Sequence, residues 1–179
     1  MKIYILILSL AFSFNLYSSV IKKLELGSHN LVSTDYWQFY KSKNLIHKTP
    51  LPMLEYSNFK KKGENIKGYL FQNINYTKNI SSTNIQSNFK NSCKKEKAKN
   101  HNKNIKINFV KIGSNNFCEF KVSINQKITV TYTFPSRFNN KNKNKITYLN
   151  KFVFTLTKVT EDNAITKIHS LLKNIKGHL

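Results

Sequence analysis

The sequence predicts an α+β domain: an antiparallel β-meander of roughly five to six strands, packed by a middle helix and a C-terminal amphipathic helix. Three observations predict it. Apolar and polar residues alternate over much of residues 105–159, apolar residues recur at helical spacing over 85–93, and an amphipathic segment with capping residues follows residue 160. The chain has 179 residues, of which 40% are hydrophobic, so one domain with a packed core is expected.

The N-terminal segment predicts export. Lys2 precedes an apolar run at residues 3–12, and a less hydrophobic segment with three serines follows at 13–19. A basic start, an apolar region too short to span a bilayer and a small-residue exit are typical of a secretory signal peptide. We therefore predict a signal peptide over residues 1–19 and a single exported domain over residues 20–179, located in the periplasm or outside the cell. A buried first strand or an uncleaved anchor is the alternative.

The early part of the exported domain predicts strands and an aromatic cluster. Residues 20–26 can form a short strand, and the alternation at 66–76 predicts another. The aromatic residues at 36–40 are expected to fill the core, with ligand stacking on Trp37 as the alternative. The segment 50–52 contains two prolines, which should interrupt regular structure.

The middle helix is predicted by an apolar stripe. Ile85, Phe89 and Cys93 are spaced by four residues, and the polar residues 81–84 supply candidate N-caps. The helix should run to about Lys97 and turn Cys93 toward the core.

The meander is predicted by alternation over residues 105–109, 118–124 and 128–134. We expect one buried face, which carries Cys118 and the apolar residues of the third strand, and one wet face, which carries that strand's threonines. Pro135 should end the third strand, and a long strand follows at 146–159.

The C-terminal helix has caps and an apolar face. Thr160 is a candidate N-cap, acidic residues occupy the first turn, and Gly177 is a candidate C′ residue. The apolar face consists of Ile165, Ile168, Leu172 and Ile175, flanked by Ala164 and Leu171. An arrangement of strands that ends in a strand and a packed helix resembles the small exported proteins of the PsbP-like group. The resemblance is one of topology and includes no motif, so it carries over no functional residues.

The cysteines predict one disulfide. Cys93 and Cys118 are the only two, and an even count in an oxidising compartment favours a bridge. Closing this loop of about 26 residues would stabilise the fold by about 3.5 kcal/mol in the chain-entropy description. Two buried thiols are the alternative. A redox pair is the least favoured, because the C-x-x-C spacing is absent.

No motif in the sequence predicts catalysis, a cofactor or a metal. None of the five histidines stands at metal-ligand spacing, and no glycine-rich phosphate loop or nucleophile elbow occurs. We predict that the protein is not an enzyme. The alternative is a small RNase-like hydrolase in which His29 and His47 meet a lysine.

The formal net charge of +22 indicates an anionic partner, if any. Lysine supplies nearly all of it, Arg137 is the only arginine, and asparagine and isoleucine are abundant. An A/T-rich codon bias explains this balance without a ligand, and the lack of arginine argues against specific nucleic-acid readout. The possible anion-binding surface comprises Lys94, Lys95, Lys97, Lys99 and Lys103.

These observations predict a non-catalytic exported binding or accessory protein. Its partner would be an anionic surface: lipid headgroups, an acidic envelope polymer or another protein. The alternative is a secreted cationic effector, either a small hydrolase or a toxin that binds membranes or nucleic acid.

Overall fold

The computed structural model describes residues 20–46, 49–56, 66–76, 82–139, 145–157 and 161–177. The predicted signal peptide and the candidate cap Thr160 lie outside these residues. The described elements are, in chain order, β1 (Val20–Ile21), β2 (Lys23–Leu26), β3 (His29–Val32), β4 (Trp37–Ile46), β5 (Thr49–Tyr56), β6 (Ile66–Tyr76), α1 (Ser82–Lys99), β7 (Ile105–Ile112), β8 (Asn115–Ile124), β9 (Lys127–Asn139), β10 (Lys145–Thr157), α2 (Glu161–Leu172) and β11 (Lys176–Gly177).

The strands form two antiparallel sheets. The main sheet has the order β1-β4-β5-β6-β10-β9-β8-β7, and the smaller one has the order β11-β3-β2. The predicted α+β class is confirmed, with the meander β7–β8–β9–β10, a middle helix and a C-terminal helix. The main sheet has eight strands because β4 and β5 extend it past β6, where the prolines were expected to interrupt it.

Three prolines lie within strands, and the prediction that they end regular structure was wrong. Pro50 and Pro52 lie in the part of β5 that pairs with β4 alone, because pairing with β6 begins at Met53. Likewise, β8 pairs with β9 only as far as Thr133, so Pro135 needs a ladder partner in β10 alone. A residue without an N–H is tolerated where one side of the strand is unpaired.

The turn between β8 and β9 determines which side chains share a face. Asn125 and Gln126 form a two-residue turn, and Ile124 pairs with Lys127. Asn125 has a φ of 56°, a left-handed conformation that asparagine tolerates. Even-numbered residues of β8 therefore lie beside odd-numbered residues of β9, since directly paired residues project to the same side of a sheet.

As a result, the two strands do not share one buried and one wet face. Cys118 pairs with Thr133, and Phe120 pairs with Thr131, whereas Tyr132 lies on the opposite face beside Glu119. The expectation that Cys118 belongs to the same face as the apolar residues of β9 was wrong. The threonines do not face open solvent either: Thr131 and Thr133 are buried.

The main core lies on the even-numbered face of β9 and β10, under α2 and the smaller sheet. The sheet contributes large side chains to it, the smaller sheet contributes leucines, and α2 contributes its apolar face. Members of this core include Phe117, Val130, Tyr132, Phe134, Phe152 and Phe154 from the main sheet, Leu24, Leu26 and Leu31 from β2 and β3, and Ala164, Ile168, Leu171 and Leu172 from α2. The predicted apolar face of the C-terminal helix is confirmed within the helix, whereas Ile175 is buried but lies beyond its end.

A smaller core lies on the opposite face, under α1. It consists of Cys93, Ile107 and Cys118, with half-buried aromatic residues around them. The disulfide between Cys93 and Cys118 is confirmed, with a Cα–Cα distance of 5.8 Å, and it joins α1 to β8. Ile85 is buried as the stripe predicts, and Phe89 is half-buried.

The C-terminal segment ends differently from the prediction. Helix α2 stops at Leu172, so Gly177 is not its C′ residue. Instead, Gly177 lies in β11 and pairs with His29 of β3. The Asn115 side-chain amide donates a hydrogen bond to the Ile175 carbonyl at 3.0 Å and holds this segment against β8. Gly177 has a φ of 139°, and a Cβ there would collide with the Ser28 carbonyl.

Candidate ligand-binding groove

A cavity of about 610 Å³ lies between α1 and the odd-numbered face of β9 and β10. It forms because α1 packs over β7 and one side of β9, and the remaining sheet surface stays open beside the helix. We call it the α1 groove. Its lining residues are Phe89, Ser92, Cys93 and Glu96 from α1, Cys118, Phe120 and Val122 from β8, Thr131 and Thr133 from β9, Leu149 and Lys151 from β10, and Asn73 from β6.

The floor of the α1 groove is built by the register of β8 and β9. Because Thr133 pairs with Cys118, the two side chains stand together beneath the helix. The Thr133 hydroxyl donates a hydrogen bond to the Cys118 carbonyl at 3.3 Å. That bond satisfies the donor of one buried hydroxyl in the floor of the groove.

The interior of the α1 groove is mainly apolar, and its rim is charged. Phe89, Phe120 and Leu149 are half-buried and line the interior, whereas Glu96 and Lys151 are exposed. A volume of about 610 Å³ lies within the range of small-molecule sites, which are commonly 300–1,000 Å³. The arrangement suits a ligand with an apolar chain and a charged end.

The lysines predicted to bind anions are all exposed, but they do not form one face. Lys94 and Lys97 line a second cavity, of about 310 Å³, on the β7 side of α1, where the Lys97 ammonium donates to Asn108 Oδ1 at 3.4 Å. Lys95 and Lys99 lie one turn beyond Ser92 and Glu96, on the side of the α1 groove. Lys103 follows the helix in a loop. Anion binding by these lysines stays a prediction.

The main core contains a second group of ionisable residues, beneath α2. This α2 cluster comprises Glu119, Lys121, Tyr132, Glu161 and His169. Lys121 forms an ion pair with Glu161, and the Tyr132 hydroxyl lies 2.9 Å from His169 Nε2. His169 Nε2 lies 4.0 Å from a Glu119 carboxylate oxygen.

Burial sets the protonation states in the α2 cluster. Burial, and then the adjacent Glu119 carboxylate, raise the pKa of the Tyr132 hydroxyl above its usual range. Burial lowers the pKa of His169, and Glu119 opposes that shift only in part. The Tyr132 hydroxyl hydrogen-bonds both His169 Nε2 and the Glu119 side chain, so it links these two residues. The members satisfy one another and allow a partly polar helix to dock on an apolar sheet.

The described structure places two of the residues on which the alternatives from the sequence depend, His29 and Trp37. His29 is buried with its ring edge-on to Phe134 at 5.5 Å between centroids, and His47 lies outside the described residues. Trp37 is 2% exposed and packs against Phe154, so it belongs to the core. Among the described residues, no three His, Cys, Asp or Glu side chains come together in a way that could hold a metal ion.

Arg137 was not predicted to belong to any site. Its backbone N–H donates to Ser28 Oγ at 3.1 Å, and its guanidinium Nε and Nη2 are buried without a hydrogen-bond partner. The signal in the sequence was that Arg137 is the only arginine of a lysine-rich chain. The alternation that places it on one face of β9 could be read only after β9 was known to continue past Pro135.

Comparison with known proteins gives little. No protein-family model matches the sequence, and no curated protein is significantly similar to it. A solved structure, that of LpqN, a protein involved in cell envelope biogenesis of Mycobacterium tuberculosis, matches over 88% of this chain and 88% of that chain, with 8% identity and a TM-score of 0.47. A likeness of this strength carries no functional argument. Among the described helices, neither is long and apolar enough to cross a membrane.

Proposed function

We propose that this protein is an exported, non-catalytic binding domain of the cell envelope that holds an anionic lipid in the α1 groove. The observation that carries the proposal is the groove itself, an apolar cavity of about 610 Å³ beside a lysine-rich helix. The disulfide supports export, because such bonds persist mainly in oxidising compartments.

The apolar interior supports an acyl chain as the bound part. Each methylene removed from water contributes about 0.8 kcal/mol, so a chain of several methylenes against Phe89, Phe120 and Leu149 gives useful affinity. A purely polar ligand would gain little from these side chains.

The charge supports an anionic head and an anionic membrane as its source. Helix α1 has five lysines and one glutamate, and Lys151 stands at the groove rim. Each lysine near an anionic bilayer contributes about 1 kcal/mol of attraction, so a chain of net charge +22 is drawn to such a surface.

The absence of a catalytic role is supported by what surrounds the ionisable groups. Among the described residues that line the α1 groove, Glu96 and Lys151 are the ionisable ones, and both are exposed. Neither lies in the buried, preorganised setting that tunes a catalytic group. The α2 cluster lies on the opposite face of the sheet, where its members pair with one another.

Calorimetric titration of the purified protein with sodium decanoate and with 1-decanol tests the proposal. We expect saturable one-to-one binding of decanoate with a negative heat-capacity change, as apolar burial requires. Leu149→Trp fills the α1 groove and should weaken both ligands at least tenfold. Thr155→Trp is the matched control, because Thr155 is exposed on the same strand and face but outside the groove lining, and it should bind like wild type.

Two results would contradict the proposal. One is decanoate binding that Leu149→Trp leaves unchanged. The other is no decanoate binding together with heparin retention above about 0.5 M salt, where diffuse charge is screened. The second result would favour the cationic-effector alternative.

A further inference from the structure

Arg137 lies on β9 beyond one end of the α1 groove lining. The β9–β10 ladder is continuous, and it pairs Pro135 with Leu149 and Arg137 with Thr147. Residues at intervals of two share a face, so Arg137 projects to the same side as Thr133, which lines the groove. Since Thr147 precedes Leu149 by two residues along β10, the backbone of Arg137 lies about 7 Å beyond the groove lining.

Two hydrogen-bond donors of the Arg137 guanidinium lack acceptors. Nε and Nη2 are both shielded from solvent, and neither has a hydrogen-bond partner. Burial of a charged guanidinium is costly unless hydrogen-bond acceptors surround it. Buried donors of a charged group are normally paired, and an unpaired set in a native fold points to a missing acceptor.

The two unpaired nitrogens are the ones that bind oxyanions side-on. Nε and Nη2 present N–H groups along one edge of the guanidinium plane, at a spacing that matches two oxygens of a carboxylate or phosphate. Lysine offers no such fork. The chain has 29 lysines and one arginine, and the arginine stands at this position.

We propose that Arg137 anchors the anionic head of the groove ligand, a carboxylate or a phosphate monoester, through a side-on pair of hydrogen bonds from Nε and Nη2. This inference rests on the proposed function and adds the head-group site to it. The chain of the ligand lies over Leu149 and Phe120, and the exposed lysines of α1 contribute attraction without a defined geometry.

The test compares decanoate, decyl phosphate and uncharged 1-decanol on wild type and on Arg137→Met and Arg137→Lys. Wild type should bind at least one of the two anions tenfold or more tightly than decanol. Arg137→Met should lose that preference and keep its decanol affinity. Arg137→Lys should keep only part of the preference for anions, because lysine supplies the charge but not the two side-on donors. The anion that binds more tightly identifies the head group. Lys151→Met is the matched control for charge alone, and it should lower anion affinity less than Arg137→Met does.

A stability measurement separates anchoring from a structural role. Without ligand, Arg137→Met should unfold at the same or a higher temperature than wild type, because an unpaired buried charge is removed. Decyl phosphate or decanoate should raise the unfolding temperature of wild type more than that of the variant.

The outcomes distinguish the two proposals. If Arg137→Met keeps the full preference for anions, or if it unfolds at a much lower temperature without ligand, the anchor is refuted and the lipid-binding function stands. If wild type binds none of the three probes, the proposed function itself fails.

Discussion

Removing the Cys93–Cys118 disulfide should loosen α1 more than any other element. The helix turns only Ile85, Phe89 and Cys93 toward the sheet as apolar anchors, and its other faces are rich in lysine and asparagine. The main core lies on the opposite face of the sheet and holds β9 and β10 regardless of α1. The disulfide is therefore the principal tether of the helix that forms one wall of the α1 groove.

The size of the effect follows from the loop that the bond closes. The cysteines are 25 residues apart in sequence, and the chain-entropy description gives about 3.5 kcal/mol for a loop of this length. Domains are usually stable by only 5–15 kcal/mol, so the loss is a large fraction of the total. With urea m-values of about 1–3 kcal/mol/M, the unfolding midpoint should fall by roughly 1–3.5 M.

The assay is urea unfolding of the Cys93→Ala/Cys118→Ala variant, followed by the fluorescence of buried Trp37. Reductant should lower the urea midpoint of wild type by a similar amount and leave the midpoint of the double variant unchanged. This comparison controls for the substitutions themselves. In the variant, α1 amides should exchange faster with solvent than in wild type. Amides of β9 and β10 should still exchange mainly through global unfolding. A loss of stability below 1 kcal/mol, or full protection of α1 in the variant, would refute this reasoning.

Two further predictions concern the main core. Because burial lowers the folded-state pKa of His169 below its ordinary value, the unfolded chain takes up a proton first as the pH falls, so stability should decrease from pH 8 to pH 5. Denaturation midpoints across this range should show a weaker pH dependence in His169→Gln than in wild type or in the exposed control His101→Gln; parallel curves for all three would contradict it. Gly68→Ala places a methyl group against the Phe154 ring and should cost about 1–3 kcal/mol in thermal unfolding. Adding Phe154→Leu should recover part of that loss, and an unchanged unfolding temperature for Gly68→Ala alone would show that the ring moves freely.

Several elements could be predicted because their signals are local. The strand over residues 66–76 and the helix that carries Cys93 follow from alternation and helical spacing, and both are found at nearly the predicted bounds. The disulfide followed from a cysteine count of two. The apolar face of α2 was predicted correctly, but its end was not, because pairing of Gly177 with His29 takes over where the helix pattern still continues.

The candidate site could not be predicted to the same extent, because it depends on relations between strands. The two-residue turn at Asn125–Gln126 sets the register that places Thr133 beside Cys118. The threonines therefore form the floor of the α1 groove and do not face open solvent. Pro135 lies inside β9 because the pairing of β8 with β9 has already ended at Thr133, and this continuation places Arg137 on the groove-facing side of β9, beyond the groove lining.

By itself, the sequence determined the α+β class, the order of the helices and meander strands, and the disulfide between the two cysteines. Periodicity and residue type act over a few positions, so these features are visible in the chain alone. Only the tertiary structure decided that both faces of the sheet are covered, that α1 leaves a groove beside it, and that the single arginine has two buried donors without a partner. Those properties arise from which strand ends where and which face each neighbour presents, and strand pairing between distant residues sets both.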